Sequence, residues 1–389
     1  GQTGNQAISS YQTMESLGTA NYPLNGTLTG GFSGQTYKGP LNKDLKWETT
    51  DQYNVGIDLG FLDNRLNFTA NYYYKKTKDL LQNVSIPTST GYSTMWTNYG
   101  YVTNKGFEFS GNIVALNNAD WTLSFDGNIS FNQNKIGGLD ADQYASQLWY
   151  GASEVFLQRN GYPIGTIYGY VEDGFYDNLA EVRADPIYEK VSDDEAQRMI
   201  GEIKYVDINN DGHITEDDRA IIGDTNPDFT YGFNTNLRWN NLSLGLFFQG
   251  SQGNDIFNGN LTMIGMSSIG NVTKEAYDTR WTPENTANAK WPRVTTAMTR
   301  EMKLSNRYVE DGSYFRLKTI NLNYNLGSVW KGITNISLFA NISNVFTITN
   351  YSWFDPDVNS FGTDASRRGV DIGSYPNSRT YTFGIKLTL

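Results

Sequence analysis

The 389-residue chain contains no cysteine and only one histidine, His213. These absences exclude disulfides, thiolate metal sites, cysteine nucleophiles and multi-histidine zinc sites, and they leave one place for a Ser-His-Asp relay. Basic residues are also scarce: the 30 Lys and Arg are outnumbered by 41 Asp and Glu, which gives a net charge of −11. A chain this acidic does not bind a phosphate backbone over a broad surface, so we expect no nucleic-acid partner.

Long apolar runs are missing as well. No stretch approaches the roughly 18 consecutive apolar residues that a membrane helix needs, and residues 1–34 lack the basic and apolar regions of a signal peptide. The sequence therefore excludes a helical membrane protein. It does not exclude a membrane β-barrel, whose lipid-facing residues occupy every second position and average out in the mean hydropathy.

Aromatic residues make up 14% of the chain, and they recur with a period of two. In Phe229 to Trp239 one face is apolar and the other is polar, and the pattern resumes after Asn240 and Asn241. Where the apolar face switches midway, between Tyr314 and Tyr324, we predict a β-bulge. Alternation of this kind predicts nine strands, near 46–61, 65–80, 97–115, 120–134, 228–239, 241–251, 313–325, 333–347 and 378–388.

The lengths of these strands and of their connections indicate the fold class. Ten residues tilted by 45° cover roughly 25 Å, the height of an outer-membrane apolar band. Short connections alternate strictly with long ones at 81–96, 135–227, 252–312 and 348–377. We therefore predict an all-β fold, a transmembrane antiparallel β-barrel with long extracellular loops. The alternative is a soluble all-β protein, in which Greek-key loops produce the asymmetry by chance.

An odd number of strands cannot close an antiparallel barrel, and an open edge cannot remain in lipid. We therefore expect strands outside this chain to complete the barrel, and residues 1–389 to be the C-terminal part of something larger. Such a piece is either a fragment or one half of a cleaved chain that barrel closure holds together.

One segment has the spacing of a calcium-binding loop. Residues 207–218 match the twelve-residue pattern, with Gly212 at the sharp turn and Asp at position 12 where an EF-hand has Glu. Three carboxylates around a hard dication favour Ca²⁺ over Mg²⁺. The alternative is an ion-free Asn-Asp-Gly turn. The predicted ligands are the side chains of Asp207, Asn209, Asp211 and Asp218 and the backbone oxygen of His213.

The 135–227 loop also contains a predicted helix. Ser192 to Glu195 reads as a capping box, and Gly201 ends the helix, which we expect on the surface. Candidates for catalysis are poor. Two carboxylate pairs could in principle serve glycoside hydrolysis, Glu172 with Asp173 and Asp355 with Asp357, but such pairs are far commoner as surface or lumen residues than as catalytic ones. We therefore predict that the protein is not an enzyme.

Eight segments together resemble the SusC/RagA-type TonB-dependent outer-membrane transporters. Each is weak alone, but their order along the chain is specific. They are Gly1–Gln6, Leu45–Asp58, Asn104–Phe109, Gly161–Gly165, Tyr205–Gly212, Gly223–Gly232, Phe247–Phe257 and Arg307–Leu317.

The resemblance implies a barrel of about 22 strands around an N-terminal plug, in the bacterial outer membrane. The nine strands would then be the last of that barrel, and the plug lies outside this chain. It further implies active import of bulky nutrients, either oligosaccharides or oligopeptides. A SusD-like surface lipoprotein would be the lid, and TonB would supply energy through the plug.

Under this interpretation one face of the strands contacts outer-membrane lipid and the other lines the lumen. The predicted lumen residues are Asn54, Asp58, Asn234, Asn236, Arg238, Ser243 and Gln249. Aromatic residues of the loops are candidates for stacking on sugars, for packing on the lid, or for stabilising the loops themselves: Trp149, Tyr150, Tyr168, Trp353 and Phe354. The rival functions are a passive porin and a secreted carbohydrate-binding or hydrolytic β-protein.

Overall fold

The computed structural model describes most of the chain. The described residues are 2–3, 17–22, 32–37, 40, 42–92, 94–144, 154–264, 271–295, 303–328, 332, 334–362 and 364–388.

Nine long strands form the main sheet, and each pairs antiparallel with the next along the chain. A two-residue strand, Gln2–Thr3, adds to the outer edge of the first. Among the described residues the sheet is open and does not close on itself. The strands are β1 Glu48–Phe61, β2 Leu66–Lys78, β3 Tyr101–Asn117, β4 Trp121–Gly137, β5 Phe229–Trp239, β6 Leu242–Gln252, β7 Tyr314–Gly327, β8 Asn335–Thr349 and β9 Thr380–Thr388.

The observed bounds lie within a few residues of the sequence-based ones, with one clear difference. Strand β3 begins at Tyr101 rather than near 97, because Gly100 adopts a φ of +78° and interrupts the extended chain. Residues Thr94–Asn98 instead pair with Leu81–Ser85 in a separate hairpin. The prediction that 97–100 belong to the long strand is therefore wrong, and half of the 81–96 connection is strand.

The predicted bulge in β7 is confirmed. Its register shifts between Leu317 and Thr319 against β8, and between Phe247 and Phe248 of the neighbouring strand β6. The extra residue, Lys318, is left between the two registers. Its insertion moves the apolar face from Phe315 and Leu317 to Ile320, which keeps apolar side chains on the same side of the sheet.

The sheet has one apolar face that is exposed in this chain. Trp121 and Trp239 stack on it with ring centroids 5.5 Å apart, next to the short turns at 118–120 and 240–241. A long two-faced sheet with an exposed aromatic side is the arrangement of a barrel wall against lipid. Its most exposed members include Tyr53, Val55, Ile57, Phe61, Phe107, Phe383 and Ile385.

The long connections contain secondary structure of their own. The helices are α1 Leu179–Ala184, α2 Asp193–Met199, α3 Asn260–Ile264 and α4 Lys274–Asp278. Helix α2 is the predicted one, and the Ser192 side chain accepts from the Glu195 N–H at its start. Within the parts of the chain that the structure describes, no helix is long and apolar enough to cross a bilayer. The remaining strands are Leu17–Tyr22, Phe32–Tyr37, Gln143–Tyr144, Phe156–Gln158, Thr166–Tyr170, Glu172–Phe175, Ile203–Tyr205, Arg219–Asp224, Asp255–Asn258, Val309–Asp311 and Val370–Asp371.

The described parts of three long connections pack together into one unit, which we call the head. It comprises residues 138–144, 154–228, 253–264, 271–295, 303–313, 350–362 and 364–379. Each connection contributes to a shared apolar core of fully buried side chains. A parallel pairing of Phe257 with Val370 joins the second connection to the third. The core comprises Val155, Phe156 and Ile167 from the first connection, Phe257 and Tyr308 from the second, and Val370 from the third.

Gly106 of β3 lies so close to neighbouring atoms that a larger residue does not fit there without a shift. A Cβ there would lie 2.0 Å from the Phe131 carbonyl oxygen and 2.7 Å from the Tyr73 hydroxyl. Because the backbone oxygen cannot move aside cheaply, we expect Gly106→Ala to destabilise the sheet by about 1–3 kcal/mol. Gly111→Ala on the same strand is the control, since its nearest atom would be 3.6 Å away. Heat denaturation of both variants checks this, and equal melting temperatures would contradict it.

Candidate functional site: the polar face and the head

The polar face of the sheet carries amide and hydroxyl side chains in cross-strand rows. Asn112 donates to Asp126 Oδ1 at 2.6 Å, and Asn236 donates to Asp126 Oδ2 at 3.4 Å, so three neighbouring strands are joined. Thr69 donates to Asp58 at 2.6 Å on the next pair of strands. Registers place all seven predicted lumen residues on this face.

A shallow hollow of about 310 Å³ lies in the middle of this face. Its wall contains one carboxylate, Asp126, and is otherwise formed by amides, hydroxyls and backbone, so it offers donors and acceptors with little net charge. The lining residues are Asn67, Thr69, Ser110, Gly111, Asn112, Asp126, Gly127, Asn128 and Asn234.

The head is held together by a buried ion pair that the sequence did not reveal. Glu172 accepts from Arg307 Nε at 3.1 Å and also from Arg307 Nη2 and the Ser305 hydroxyl. The Arg307 guanidinium lies over the Phe175 and Trp291 rings. Two long connections are therefore locked to each other, and Glu172 is a structural carboxylate.

A second buried arginine anchors the third connection to the wall. Arg316 of β7 contacts Asp355 through Nη2, and its side chain is only 1% exposed. Burial alone would raise the pKa of Asp355, but the N–H of Asp357, the Asn377 amide and Arg316 outweigh it and hold the pKa below its usual value. The pair Asp355 and Asp357 thus serves an arginine in this fold.

The predicted calcium loop forms a compact turn. Asp207 accepts from the Gly212 N–H at 2.8 Å, and Asp211 accepts from the His213 N–H at 2.8 Å. Asp218 accepts from the backbone N–H of Thr215 at 2.7 Å, which closes the loop. Positive φ values at Asn210 (59°) and Gly212 (81°) produce the sharp bend.

The donor set partly fits a calcium ion. The Asp207, Asn209, Asp211 and Asp218 side chains all turn back onto the loop backbone, as ligands at these positions must. Across the described residues, however, no three His, Cys, Asp or Glu side chains converge on one point. Binding an ion therefore requires these side chains to turn further toward a common centre, and a carboxylate oxygen that accepts one N–H still has a lone pair for the metal.

The aromatic candidates of the loops fall into three groups. Trp149 and Tyr150 lie outside the described residues. Tyr168 is 9% exposed and packs beneath the Arg219 guanidinium, 4.7 Å from its ring centroid, so it stabilises the head. Trp353 and Phe354 contact each other at 5.1 Å between centroids, and Phe354 is 68% exposed.

Two features of the polar face were missed by sequence reasoning. Tyr73 donates to Asn132 Oδ1 at 2.9 Å, and Phe339 packs over Gly384, whose Cβ would lie 2.3 Å from the ring. Large rings over cross-strand glycines fill space that a short side chain leaves open. In both cases the ring lies directly opposite a glycine of the neighbouring strand, Tyr73 opposite Gly106 and Phe339 opposite Gly384. A glycine within an alternating strand was the signal available in the sequence.

Acidic side chains cluster at the base of the head, and they make its stability depend on pH. Burial and the nearby carboxylates of Asp224 and Asp311 raise the pKa of Asp255, while the Asp224 N–H opposes the shift. Because the folded head favours the neutral acid, this contribution to stability is full below the unfolded pKa and is lost as pH rises through the folded one.

We therefore expect Asp255→Asn to stabilise the head at pH 7, since the amide still accepts from the Asp224 N–H without carrying charge. The gain should shrink as the pH falls toward about 4. Thermal unfolding from pH 4 to pH 8 measures it, with exposed Asp278→Asn as control. The same pH slope for variant and parent protein would contradict the expectation.

Comparison with known proteins agrees with this architecture. The family described as "TonB dependent receptor-like, beta-barrel" matches residues 10–186. TonB-dependent receptor P3 of Formosa agariphila is 37% identical across 100% of this chain, which spans 38% of that relative. The matched residues carry the TonB-dependent receptor β-barrel, and the whole chain aligns with receptors of that name. TonB-dependent receptor SusC of Bacteroides thetaiotaomicron is 27% identical over 95% of the chain and 34% of SusC.

A solved structure has the same fold. The "RagAB peptide transporter" superposes with a TM-score of 0.75 and 23% identity, covering 99% of this chain and 40% of that one. The likeness to RagAB shows a shared fold, and this chain spans about two fifths of the length of the relatives that it matches. Receptors of this family are non-enzymatic β-barrels of the outer membrane, and the predicted location and the absence of enzyme activity are confirmed on that ground.

Proposed function

We propose that this chain forms part of the wall and the outer rim of a barrel that actively imports bulky nutrients, either oligosaccharides or oligopeptides. The observation that carries the proposal is the two-faced sheet, with exposed aromatics on one side and amide and hydroxyl rows on the other. A polar wall of this kind binds a hydrated substrate through many weak hydrogen bonds, none strong enough to trap it.

The proposed partners follow from the relatives. The names of the relatives and the RagAB title support a TonB-driven receptor that works with a second protein. We propose a SusD-like surface lipoprotein as lid, TonB as the source of energy, and a plug with the remaining strands as the rest of the barrel.

Uptake by the full-length receptor in its own bacterium tests this function. Labelled oligosaccharides and oligopeptides are supplied to the parent strain and to strains that lack the receptor, the lid protein or TonB. We expect each deletion, and dissipation of the proton gradient, to abolish uptake of at least one substrate. Uptake that persists without TonB and without the gradient would indicate a passive porin instead.

We also propose a structural Ca²⁺ in loop 207–218, bound by Asp207, Asn209, Asp211, Asp218 and the His213 carbonyl. Weak extracellular sites have dissociation constants of about 10⁻⁴–10⁻³ M. Millimolar Ca²⁺ should raise the melting temperature of the head, and Asp207→Asn should remove that increase. Asp217→Asn, in the same loop but at no ligand position, is the control. No increase in the parent protein would contradict the site.

A further inference from the structure

Charged residues are rare on the apolar face of the main sheet, and those that occur there lie together. Among the paired residues of the described strands, the registers place five charged residues on that face, all at the head end of β1 to β4. The paired residues at its short-turn end carry no charge. The five are Asp51 of β1, Lys76 and Lys78 of β2, Lys105 of β3 and Lys135 of β4.

The charge of this cluster is opposite to that of the chain. Four lysines and one aspartate leave a surplus of three positive charges, whereas the chain as a whole has a net charge of −11. A lysine on the lipid-facing side of a barrel is unfavourable unless its amine reaches a polar layer. The lysines therefore mark the depth at which the headgroups of one leaflet lie.

The residues between the lysines and mid-strand have the order that a leaflet requires. On the face of Lys105 the next residues toward mid-strand are Phe107 and Phe109, whose ring centroids are 6.1 Å apart, and the Tyr72 ring lies 5.0 Å from that of Phe107. Aromatic rings of this kind form the girdle between hydrocarbon and headgroups. The lysines lie one step further out, toward the head.

Three of the lysines surround Thr103. Lys76 and Lys135 are its direct cross-strand neighbours on either side, and Lys105 is the next residue on the same face of β3. Directly opposite Cβ atoms lie about 4.5–5.5 Å apart and diagonal ones about 7–8 Å. Because lysine stems are long and flexible, three amines at these positions can converge on one anion above the short threonine side chain.

These three amines are available to a ligand. The Lys105 and Lys135 side chains are exposed and form no ion pair with any residue that the structure describes. Lys76 Nζ lies 3.7 Å from the centroid of the Tyr101 ring. A cation over an aromatic face is held in place but keeps its charge.

The fourth lysine has a partner already. Lys78 Nζ pairs with Asp51 Oδ2 at 2.6 Å, so this pair is neutral and the surplus charge belongs to the other three lysines. Strands β2 to β4 lie inside the sheet, between β1 and β5. Strands that complete the barrel beyond the edges at β1 and β9 would therefore leave the cluster uncovered and facing the membrane.

A phosphate group on a membrane lipid has the chemistry that this surface recognises. Ammonium groups bind phosphate oxygens as point charges from several directions, and basic residues beside a membrane attract anionic headgroups. The rings next to the lysines suit the acyl chains of the same lipid. A soluble anion would leave those rings uncovered. The lid and the imported substrate contact the head and the lumen, on other sides of the wall.

We propose that Lys76, Lys105 and Lys135 bind the phosphate group of a lipid in the outer leaflet of the outer membrane, with its acyl chains on Tyr72 and Phe107. A phosphorylated glycolipid of the lipid A class has both the anionic headgroup and the acyl chains. The inference goes beyond the import function and is independent of which substrate is imported.

Lipid binding to the purified full-length receptor in detergent tests the site, with native mass spectrometry as the measurement. The probes are lipid A, chemically dephosphorylated lipid A and inorganic phosphate. We expect lipid A to bind at least about tenfold more tightly than the dephosphorylated lipid, and equimolar phosphate not to displace it. Equal binding of the two lipids, or displacement by phosphate, would overturn the site.

Charge substitutions locate the binding. Each lysine near a lipid surface contributes about fivefold to affinity, so Lys105→Gln should weaken lipid A binding about fivefold, and its combination with Lys135→Gln roughly twentyfold. The double substitution to arginine should retain binding. Lys75→Gln is the matched control, because Lys75 is exposed on the polar face at the same depth, opposite Asn104. Equal affinities of Lys75→Gln and the double glutamine variant would overturn the site.

The outcomes separate this site from folding and from import. Variants are compared when their heat-modifiable migration on gels matches that of the parent, and the comparison of the two lipids on the parent receptor decides the question without any variant. A receptor that imports its substrate but binds both lipids alike contradicts the lipid site alone. A receptor that binds lipid A through the lysines but imports nothing contradicts the proposed function alone.

Discussion

Phe233→Arg should prevent the sheet from surviving in a membrane, whereas Asn234→Arg should be tolerated. Phe233 lies mid-strand on the apolar face, stacked on Phe125 with centroids 5.8 Å apart. A charged side chain placed toward lipid at mid-depth costs about 2–4 kcal/mol. The loss of its ring contacts adds to that. Asn234 occupies the same depth on the other face, opposite Asp126, where an arginine remains hydrated.

The pair of variants is measured in the full-length receptor by heat-modifiable migration on gels and by yield in the outer membrane. Because the two residues are adjacent, differences in membrane depth or strand length do not affect the comparison of the two variants. Equal loss in both variants, or no loss in either, would show that lipid does not contact the face of Phe233. The location would then have to be reconsidered together with the strands' orientation.

Glu172→Gln should open the head. Glu172 and Arg307 are 8% and 12% exposed, and the substitution leaves the arginine buried without a counter-charge. Removing one partner of a buried ion pair costs about 3–5 kcal/mol. Next to the ion pair, the Tyr170 N–H donates to the Leu304 carbonyl and Tyr170 pairs with Ser305, so the loss should spread to both connections.

Hydrogen exchange of residues 166–175 and 303–311 measures this effect. The control is Asp278→Ala in α4, which breaks an exposed pair with Lys274 worth only about 0.3–0.5 kcal/mol. Exchange rates in Glu172→Gln that match those of the control would mean that the head is held by its apolar core alone.

The main sheet could be predicted from the sequence because apolar and polar residues alternate along a strand that has one lipid-facing side and one polar side. Residues 229–239 and the bulge near Lys318 illustrate this, since both signals lie within a dozen residues. The start of β3 was not accessible. Tyr101 continues the alternation of residues 97–99, and only the positive φ of Gly100 separates them.

The head could not be foreseen in the same way. Its decisive contacts join residues far apart, such as Glu172 with Arg307 and Arg316 with Asp355, and no local period marks such a pair. Tyr168 shows the same limit. An aromatic residue in a long connection is a candidate for ligand contact, yet the Tyr168 ring is buried beneath the Arg219 guanidinium. The calcium loop was visible because its ligands lie within twelve residues.

The shared core of the head ties the outer surface to the end of the chain. Val370, which is fully buried against Phe257, is followed closely by β9, the last strand of the wall. A chain shortened before Val370 would therefore lose that strand and the side chain that completes the head together. Val155, Phe156 and Ile167 would then lack part of their covering, and both the wall and the head of the shortened receptor would be exposed to quality-control proteases.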